Sequence, residues 1–467
     1  MTAAGLAGTT LAADIKAYFG IWSGTLNVGA KQLRLELHIV SESAASLFSL
    51  DQGAVELGAT TVSLSADRLS LAFAGIGAEY VATLSADDTL KGTFTQGGGS
   101  FPLDFARGKL FAAAPVVEIA PLTAELVATS RQKAGIPAIG VAFARDGEAP
   151  TVIADGLRSC EATVAVSTDD QWHFGSITKS MTATLVARLI EAGGITWDTT
   201  VFEVLGTALP AMNDSYKTAS FRHLLSHHAG LQPNIDLALM ATFPRDGDGD
   251  PRADRLRYAG LALAQTPVGP PGQQMVYANN GYIVAAVVLE TVFRQPWETL
   301  IRDHVFTPLG LTSAGFGAPG TPGKLDQPLG HFASPVDPAK LIPAEPGPGK
   351  ISDNPIAVGP AGRVHMTLPD MITYLYAHCL CPANFLSADS WKTLHTPPFT
   401  GNYAMGWTVD ASGRLWHNGS NTLWYAEITA DPATRTVAVV ACNDGNLGQS
   451  QPVVGMLLQS AFKRANL

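Results

Sequence analysis

The hydrophobic period of this chain changes once, near residue 110, and that change divides what it can fold into. Up to residue 107 apolar and polar residues alternate in short runs. In "KQLRLELHIV", Leu33, Leu35, Leu37 and Ile39 face one way and Gln32, Arg34, Glu36 and His38 the other. A period of two places successive side chains on opposite faces of a strand. Further runs follow at "TVSL", "LSLAF", "EYVATL", "LKGTFTQ" and "FPLDF", separated by "SADR", "GIGAE", "SADDT" and "QGGGS". Gly, Asp and Ser in such separators are what tight turns between antiparallel strands demand. Residues 15–107 are therefore expected to form a small antiparallel all-β barrel or sandwich.

Beyond that point the periods mix. Residues 108–121, with Pro115 and Pro121 flanking an apolar stretch, read as a linker. In residues 122–467 a helix is expected from Thr123, then a strand pair in "IPAIGVAFARDG" and "PTVIADGL". Helices follow over 177–193 and 280–294, strands in "LWYAEITA" and "TRTVAVVACN", and a last helix from about 452. Strands at both ends with helices between them predict an α+β domain whose antiparallel sheet joins early and late sequence. The stretches "GAPGTPGKLDQPLG" and "IPAEPGPGK" read as long loops, where substrate contacts often lie.

A chain of 467 residues with 46% hydrophobic and 15% charged residues has material for two well-buried globular domains. Its net charge of -10, without any basic cluster, argues against a nucleic-acid partner and for a small-molecule or short-peptide ligand. No window approaches eighteen uninterrupted apolar residues, so no membrane span is expected. "MTAAGLAGTTLAADIKAYFG" lacks a basic n-region and a continuous apolar core. Of the two locations this leaves, an exported protein whose leader precedes this numbering is favoured over a cytoplasmic one. Cys160 and Cys442 are isolated and Cys379 and Cys381 form a C-x-C pair, so unpaired thiols are expected rather than a disulfide framework or a zinc site.

Three serines have a lysine three positions on: Ser130 with Lys133, Ser176 with Lys179, and Ser460 with Lys463. Only Ser176 follows a glycine, Gly175, and leads an apolar helical run of Met181, Leu185, Val186, Leu189 and Ile190. Residues three apart share a helix face, and a buried lysine loses its charge readily enough to act as a base. Of the ten tyrosines only Tyr277 has an Asn two positions on, in Tyr277-Ala278-Asn279. A phenol beside a lysine can relay a proton, and an amide two residues away can orient lysine and substrate. His417-Asn418-Gly419 then falls at a strand edge, although His-x-Gly also occurs at His173 and His228.

In this order the three elements resemble the penicillin-recognising serine hydrolases: class C β-lactamases, D-Ala-D-Ala carboxypeptidases, D-aminopeptidases and family VIII carboxylesterases. The resemblance spans about residues 122 to 465 and takes in "FRHLLSHHAGLQP", "VGPPGQQMVYANNGYIVAAVVLETV", "FTPLGLTSAGFG", "GPAGRVHMTLPDM" and "YAMGW". It implies a β-lactamase/transpeptidase-like domain with no cofactor and no metal. It also implies Ser176 as nucleophile, Lys179 as its base, Tyr277 as proton relay and Asn279 as orienter of substrate and lysine. His417, Asn418 and Gly419 would form the third element, and the amides of Ser176 and Ser420 the oxyanion hole. The chain departs from the β-lactamase pattern in having no Lys-Thr-Gly, which disfavours efficient β-lactam hydrolysis. The expected reaction is acyl transfer from amide or peptide bonds, in short linear or D-amino-acid-containing peptides. A carboxylesterase and a penicillin-binding protein of little turnover are the alternatives. Shaping the substrate entrance, self-association into a homo-oligomer and a structural cap all remain open for the N-terminal β-module.

Two competing features carry less. His223 and His227 stand four apart, a zinc spacing, but no carboxylate offers a third ligand. Asp246, Asp248 and Asp250 begin like a calcium loop, but Pro251 replaces the required glycine and Arg257 the bidentate Glu. No G-x-S-x-G elbow occurs, which removes the α/β-hydrolase reading. Trp416, Trp424 and Tyr425 are expected either in the strand core or as an apolar wall beside the third element.

Overall fold

The computed structural model describes residues 15–108 and 122–465, apart from 29–30, 43, 51–55, 60, 66, 74–77, 97–98, 248 and 338–339. All but the first residue of the expected linker lies outside the described residues. The chain divides into two compact units, 1–118 and 119–467.

The N-terminal unit is one antiparallel meander of nine strands. These are β1 (Gly20–Val28), β2 (Lys31–Ser41), β3 (Ala44–Ser49), β4 (Glu56–Gly58), β5 (Thr61–Leu64), β6 (Leu69–Phe73), β7 (Ala78–Leu84), β8 (Thr89–Gln96) and β9 (Gly99–Arg107). Their order is β4-β3-β2-β1-β9-β8-β7-β6-β5, so every neighbour but the β1–β9 pair is a sequence neighbour. The alternation read from "KQLRLELHIV" is kept: Leu35, Leu37 and Ile39 are buried in one cluster with Trp22, Leu71, Phe73, Leu90 and Phe105. A single sheet whose inner face closes on one core is a half-barrel, so of the two expected forms the sandwich is not what forms.

The second unit is built on a six-stranded antiparallel sheet. Its strands are β10 (Ala138–Arg145), β11 (Thr151–Gly156), β17 (Thr408–Val409), β18 (Leu415–Ser420), β19 (Tyr425–Asp431) and β20 (Thr436–Cys442), in the order β11-β10-β20-β19-β18-β17. Smaller sheets combine β12 (Gln171–His173), β16 (Val364–Thr367) and β13 (Gly315–Phe316), and pair β14 (Gly330–Ala333) with β15 (Leu341–Ala344). Period-two alternation sends Ile139, Val141, Val440 and Cys442 to one face, against Val127, Val454 and Leu457 of helices Ala124–Ala134 and Leu447–Ala465. Ala142, Ala144, Val437, Val439 and Ala441 turn to the other face and join the main core. That core contains helix Thr178–Ala192, buried on nearly every side. A helix apolar all round belongs in a core, and its hydroxyls are bonded: Thr182 to the Pro360 carbonyl and Ser180 to that of Ile177.

The last helix begins at Leu447, five residues before the expected start at 452. Pro452 reads as a beginning because proline cannot donate to the residue four before it, here Gly448, yet the helix runs through it. Trp424 and Tyr425 are fully buried and Trp416 packs partly buried against the terminal-helix core, so all three are strand core and form no wall. No helix among the described residues is long and apolar enough to cross a membrane.

Candidate active site

Ser176 occupies a single 3-10 turn, Gly175–Ile177, immediately before helix Thr178–Ala192. Side chains three apart nearly eclipse in such a turn, which aims Lys179 back at the serine. Lys179 is wholly buried, and its Nζ lies 2.9 Å from Ser176 Oγ, 2.7 Å from Asn279 Oδ1 and 2.7 Å from the Ala361 carbonyl. Burial pushes the amine well below the ordinary lysine range. An uncharged amine has two hydrogens and one lone pair. Asn279 Oδ1 and the Ala361 oxygen can only accept, so they take both hydrogens and the lone pair is left facing the serine hydroxyl.

Tyr277 is placed by the start of helix Asn279–Phe293, whose first two amides are taken by the Pro233 carbonyl. Part of the residue is open to solvent, while its hydroxyl end is enclosed on the side of Ser176. Burial raises the phenol above its ordinary range, so it stays protonated. Lys179 Nζ stands 4.9 Å from the ring centre. Asn279 divides its amide: Oδ1 accepts from Lys179, and Nδ2 donates to Asn234 Oδ1 at 2.8 Å.

The third element is held by two glycines. A Cβ on Gly175, whose φ is +48°, would fall 2.5 Å from the Ser420 amide nitrogen. One on Gly419 would fall 2.0 Å from the Phe174 oxygen and 2.7 Å from the Ser176 amide nitrogen. Only glycine at both positions lets strand and turn approach so closely, and this closeness sets the Ser420 amide against Gly175 and the Ser176 amide against Gly419. His417 is buried on the same face. Its Nδ1 lies 2.5 Å from the Asn418 carbonyl and therefore carries the proton, which leaves Nε2 to accept from the Tyr403 hydroxyl at 2.8 Å. Burial and then the proximity of Lys179 lower its pKa to about 3, so the ring is neutral at pH 7.

Ser176, Lys179, Tyr277, Asn279, His417, Gly419 and the Ser420 amide thus converge. Asn418 does not: strand alternation turns its side chain to the opposite face, where Nδ2 meets the Tyr425 hydroxyl at 3.3 Å. That hydroxyl donates in turn to buried Glu427 at 2.7 Å. The Ser420 hydroxyl accepts from the Thr422 amide at 2.9 Å.

Two residues at the centre carry no signal strong enough to find in the sequence. Tyr403 lies in "YAMGW" and caps His417. His227 lies in "HLLSHHAG", has a φ of +64°, and packs its ring tilted against Tyr277 and Tyr403, with centroids 4.2 and 4.6 Å away. Its Nδ1 accepts from the Ala278 amide, which fixes the backbone between Tyr277 and Asn279. His223 does not join it as a ligand, since it bonds Ser220 and stacks on Phe399. No group of His, Cys, Asp and Glu among the described residues is placed to hold a metal. Asp246 accepts from the Gly349 amide and Asp250 pairs with Arg252, while Asp248 lies outside the described residues.

Comparison with known proteins follows the same lines. The β-lactamase family matches residues 123–461. Penicillin-binding protein 4 of Amycolatopsis lactamdurans is 26% identical over 333 residues, which are 66% of this chain and 81% of that protein. Esterase EstB of Burkholderia gladioli is 29% identical over 204 residues, covering 40% of this chain and about half, 48%, of the esterase. Among solved structures, D-amino acid amidase from Ochrobactrum anthropi SV3 superposes with a TM-score of 0.59 at 17% identity, over 74% of this chain and 98% of the amidase. With the family match running from the helix that opens the second unit nearly to its end, the chain belongs to the β-lactamase family and is a serine hydrolase of that fold.

Proposed function

We propose that the protein cleaves amide or peptide bonds of small acyl substrates through a covalent ester on Ser176. One observation carries this reading: Nζ of a fully buried Lys179, whose pKa burial pushes well below the ordinary lysine range, lies 2.9 Å from Ser176 Oγ. Lys179 takes the hydroxyl proton as the oxygen attacks the carbonyl carbon, and the bond to the leaving group breaks as the tetrahedral centre collapses. Tyr277, protonated and beside Lys179, hands a proton to the departing amine and is refilled from Lys179. Water then attacks the ester, with the same groups returning the proton to Ser176. The Ser176 and Ser420 amides hold the developing oxyanion, each contributing about 3 kcal/mol to the transition state. Asn279 orients Lys179 and the substrate carbonyl.

His417 narrows the substrate. Both its nitrogens are engaged and it is uncharged, so it offers no cation to a substrate carboxylate. Acyl groups without a free carboxylate at that point fit best, such as those of short or D-amino-acid-containing peptides and their amides. The fold likeness to a D-amino acid amidase supports this class. The same uncharged His417 supports a second reading, a carboxylesterase, with the likeness to EstB beside it.

A short-chain p-nitrophenyl ester assayed against D- and L-aminoacyl p-nitroanilides separates the two. Ser176→Ala is expected to lower turnover of either by at least a thousandfold, roughly. Undiminished turnover in that variant would sink the mechanism, and penicillin labelling without release would point to a binder of little turnover.

A further inference from the structure

His173 belongs to another His-x-Gly triplet, His173-Phe174-Gly175, which the reaction as described leaves unused. Its Nδ1 accepts the Gly175 amide hydrogen at 3.1 Å. The ring proton therefore sits on Nε2, which donates to Asp353 Oδ2 at 2.9 Å. Asp353 is only 5% exposed, and three further donors converge on it. Arg363 Nε reaches the same oxygen at 3.1 Å, and Asn421 Nδ2 and the Asn354 amide reach Oδ1 at 2.9 and 2.7 Å. Burial alone would raise this carboxyl, but His173 and Arg363 more than offset it and hold it below the usual carboxylate range.

Each of the three side chains on this carboxylate sits next to a backbone group of the reaction centre. His173 grips Gly175, one residue before Ser176. Asn421 follows Ser420, and its own Oδ1 accepts from the Leu423 and Trp424 amides, which fixes the turn after β18. Arg363 follows Gly362 and stands two residues beyond Ala361, whose carbonyl holds Lys179. The segments come from distant parts of the chain, and one carboxylate joins them.

We infer that Asp353 is a positioning residue that sets the spacing between the Ser176 amide, the Ser420 amide and the Ala361 carbonyl. The inference rests on the reading of Ser176 as nucleophile. Hydrogen bonds to an ionised carboxylate are short and strong, so four of them fix three backbones more firmly than packing alone. Oxyanion donors act chiefly in the transition state, so loosening them lowers kcat and leaves KM nearly unchanged.

An open groove of about 800 Å3, lined by Arg245, Arg363 and Asp353 among others, gives a small anion a route to this point. The test is therefore kcat and KM of Asp353→Asn and Asp353→Ala in the full chain, with and without sodium formate. Asp353→Asn keeps the shape but turns a donor toward His173 or Arg363, and kcat is expected to fall between about 10- and 100-fold with KM within about twofold. Formate is expected to restore part of the Asp353→Ala kcat and none of the Ser176→Ala kcat. Wild-type kcat in a folded Asp353→Asn protein, or no restoration by formate, overturns the inference. Where the Asp353 variants do not fold, Asn421→Ala leaves three of the four donors, and a severalfold loss of kcat at unchanged KM supports the clamp while wild-type kcat overturns it. Activity retained in Ser176→Ala would overturn the nucleophile reading itself. An inactive Ser176→Ala beside a fully active Asp353→Asn would overturn only the clamp.

Discussion

The two sheets of this chain treat their faces differently. In the nine-stranded sheet burial alternates along strands such as β3, β6 and β7: in β6, Leu69, Leu71 and Phe73 are buried while Ser70 and Ala72 are partly open. In β19 and β20 of the catalytic unit all seven residues of each strand are buried. A sheet with one covered face leaves every second position free to vary. A sheet covered on both faces leaves none, and each polar residue on it must find a partner, as Glu427 does in Tyr425 and Trp416. Next to the edge, β18 returns to alternation, and its inward face, His417 and Gly419, meets the start of helix Thr178–Ala192. The candidate active site lies where the doubly covered sheet gives way to a strand with one face to spend.

Glycine substitutions test that contrast most sharply. Gly419→Ala places a methyl group 2.0 Å from a backbone oxygen and is expected to cost about a hundredfold or more in kcat/KM. Gly58→Ala on β4 meets nothing within 4 Å and is expected to change stability by less than about 0.5 kcal/mol and activity not at all. Equal effects of the two on steady-state rates and melting temperature would erase the distinction.

Core truncation comes next. Leu71→Ala in the half-barrel is expected to cost about 2 to 5 kcal/mol in denaturant unfolding of its own unit. Purified, folded Leu71→Ala protein should keep its kcat, and a matching loss of turnover would show that the reaction depends on the N-terminal sheet.

The smallest effect is a pH dependence. Burial pushes the Lys179 amine well below the ordinary lysine range in the fold, and unfolding restores the ordinary value. Its pKa is lowered by folding, so the unfolded state holds the extra proton between the folded value and 10.5, and stability rises with pH across that window. The melting temperature of wild type relative to Lys179→Met should therefore increase between pH 7 and 9.5, and a flat difference would mean that Lys179 is charged in the fold. For the same reason the acid limb of kcat/KM should have its midpoint below that of a free lysine. His417, already neutral, should add no inflection near pH 6.5.

Alternation made the half-barrel strands readable, because a one-faced sheet writes its burial directly into the order of residues. The catalytic strands were readable as apolar runs, but "TRTVAVVACN" does not say which neighbour each face meets. Ser176 and Lys179 could be found because their relation is local, three residues along one turn. Tyr403 on His417, His227 on Tyr277 and Asp353 between His173 and Asn421 could not. Each pairs residues that no local period connects, and an aspartate in "ISDNPIAVGP" looks like any loop aspartate until the fold surrounds it. Asn418 was misread for the converse reason: sharing a triplet with His417 put it on the opposite side of the same strand.

Strand β10 lies between β11 and β20, and its Ala138 amide is capped by the Asn443 side chain. Residues 139–145 therefore wait for 436–442 before the sheet exists. On a ribosome, Ser176 and Lys179 emerge long before the strand that completes the wall behind them, and the Ser420 amide arrives only a little ahead of it. A nascent chain holds the proposed nucleophile apart from Ser420 until late in its synthesis, since the sheet joins two strands made some three hundred residues apart.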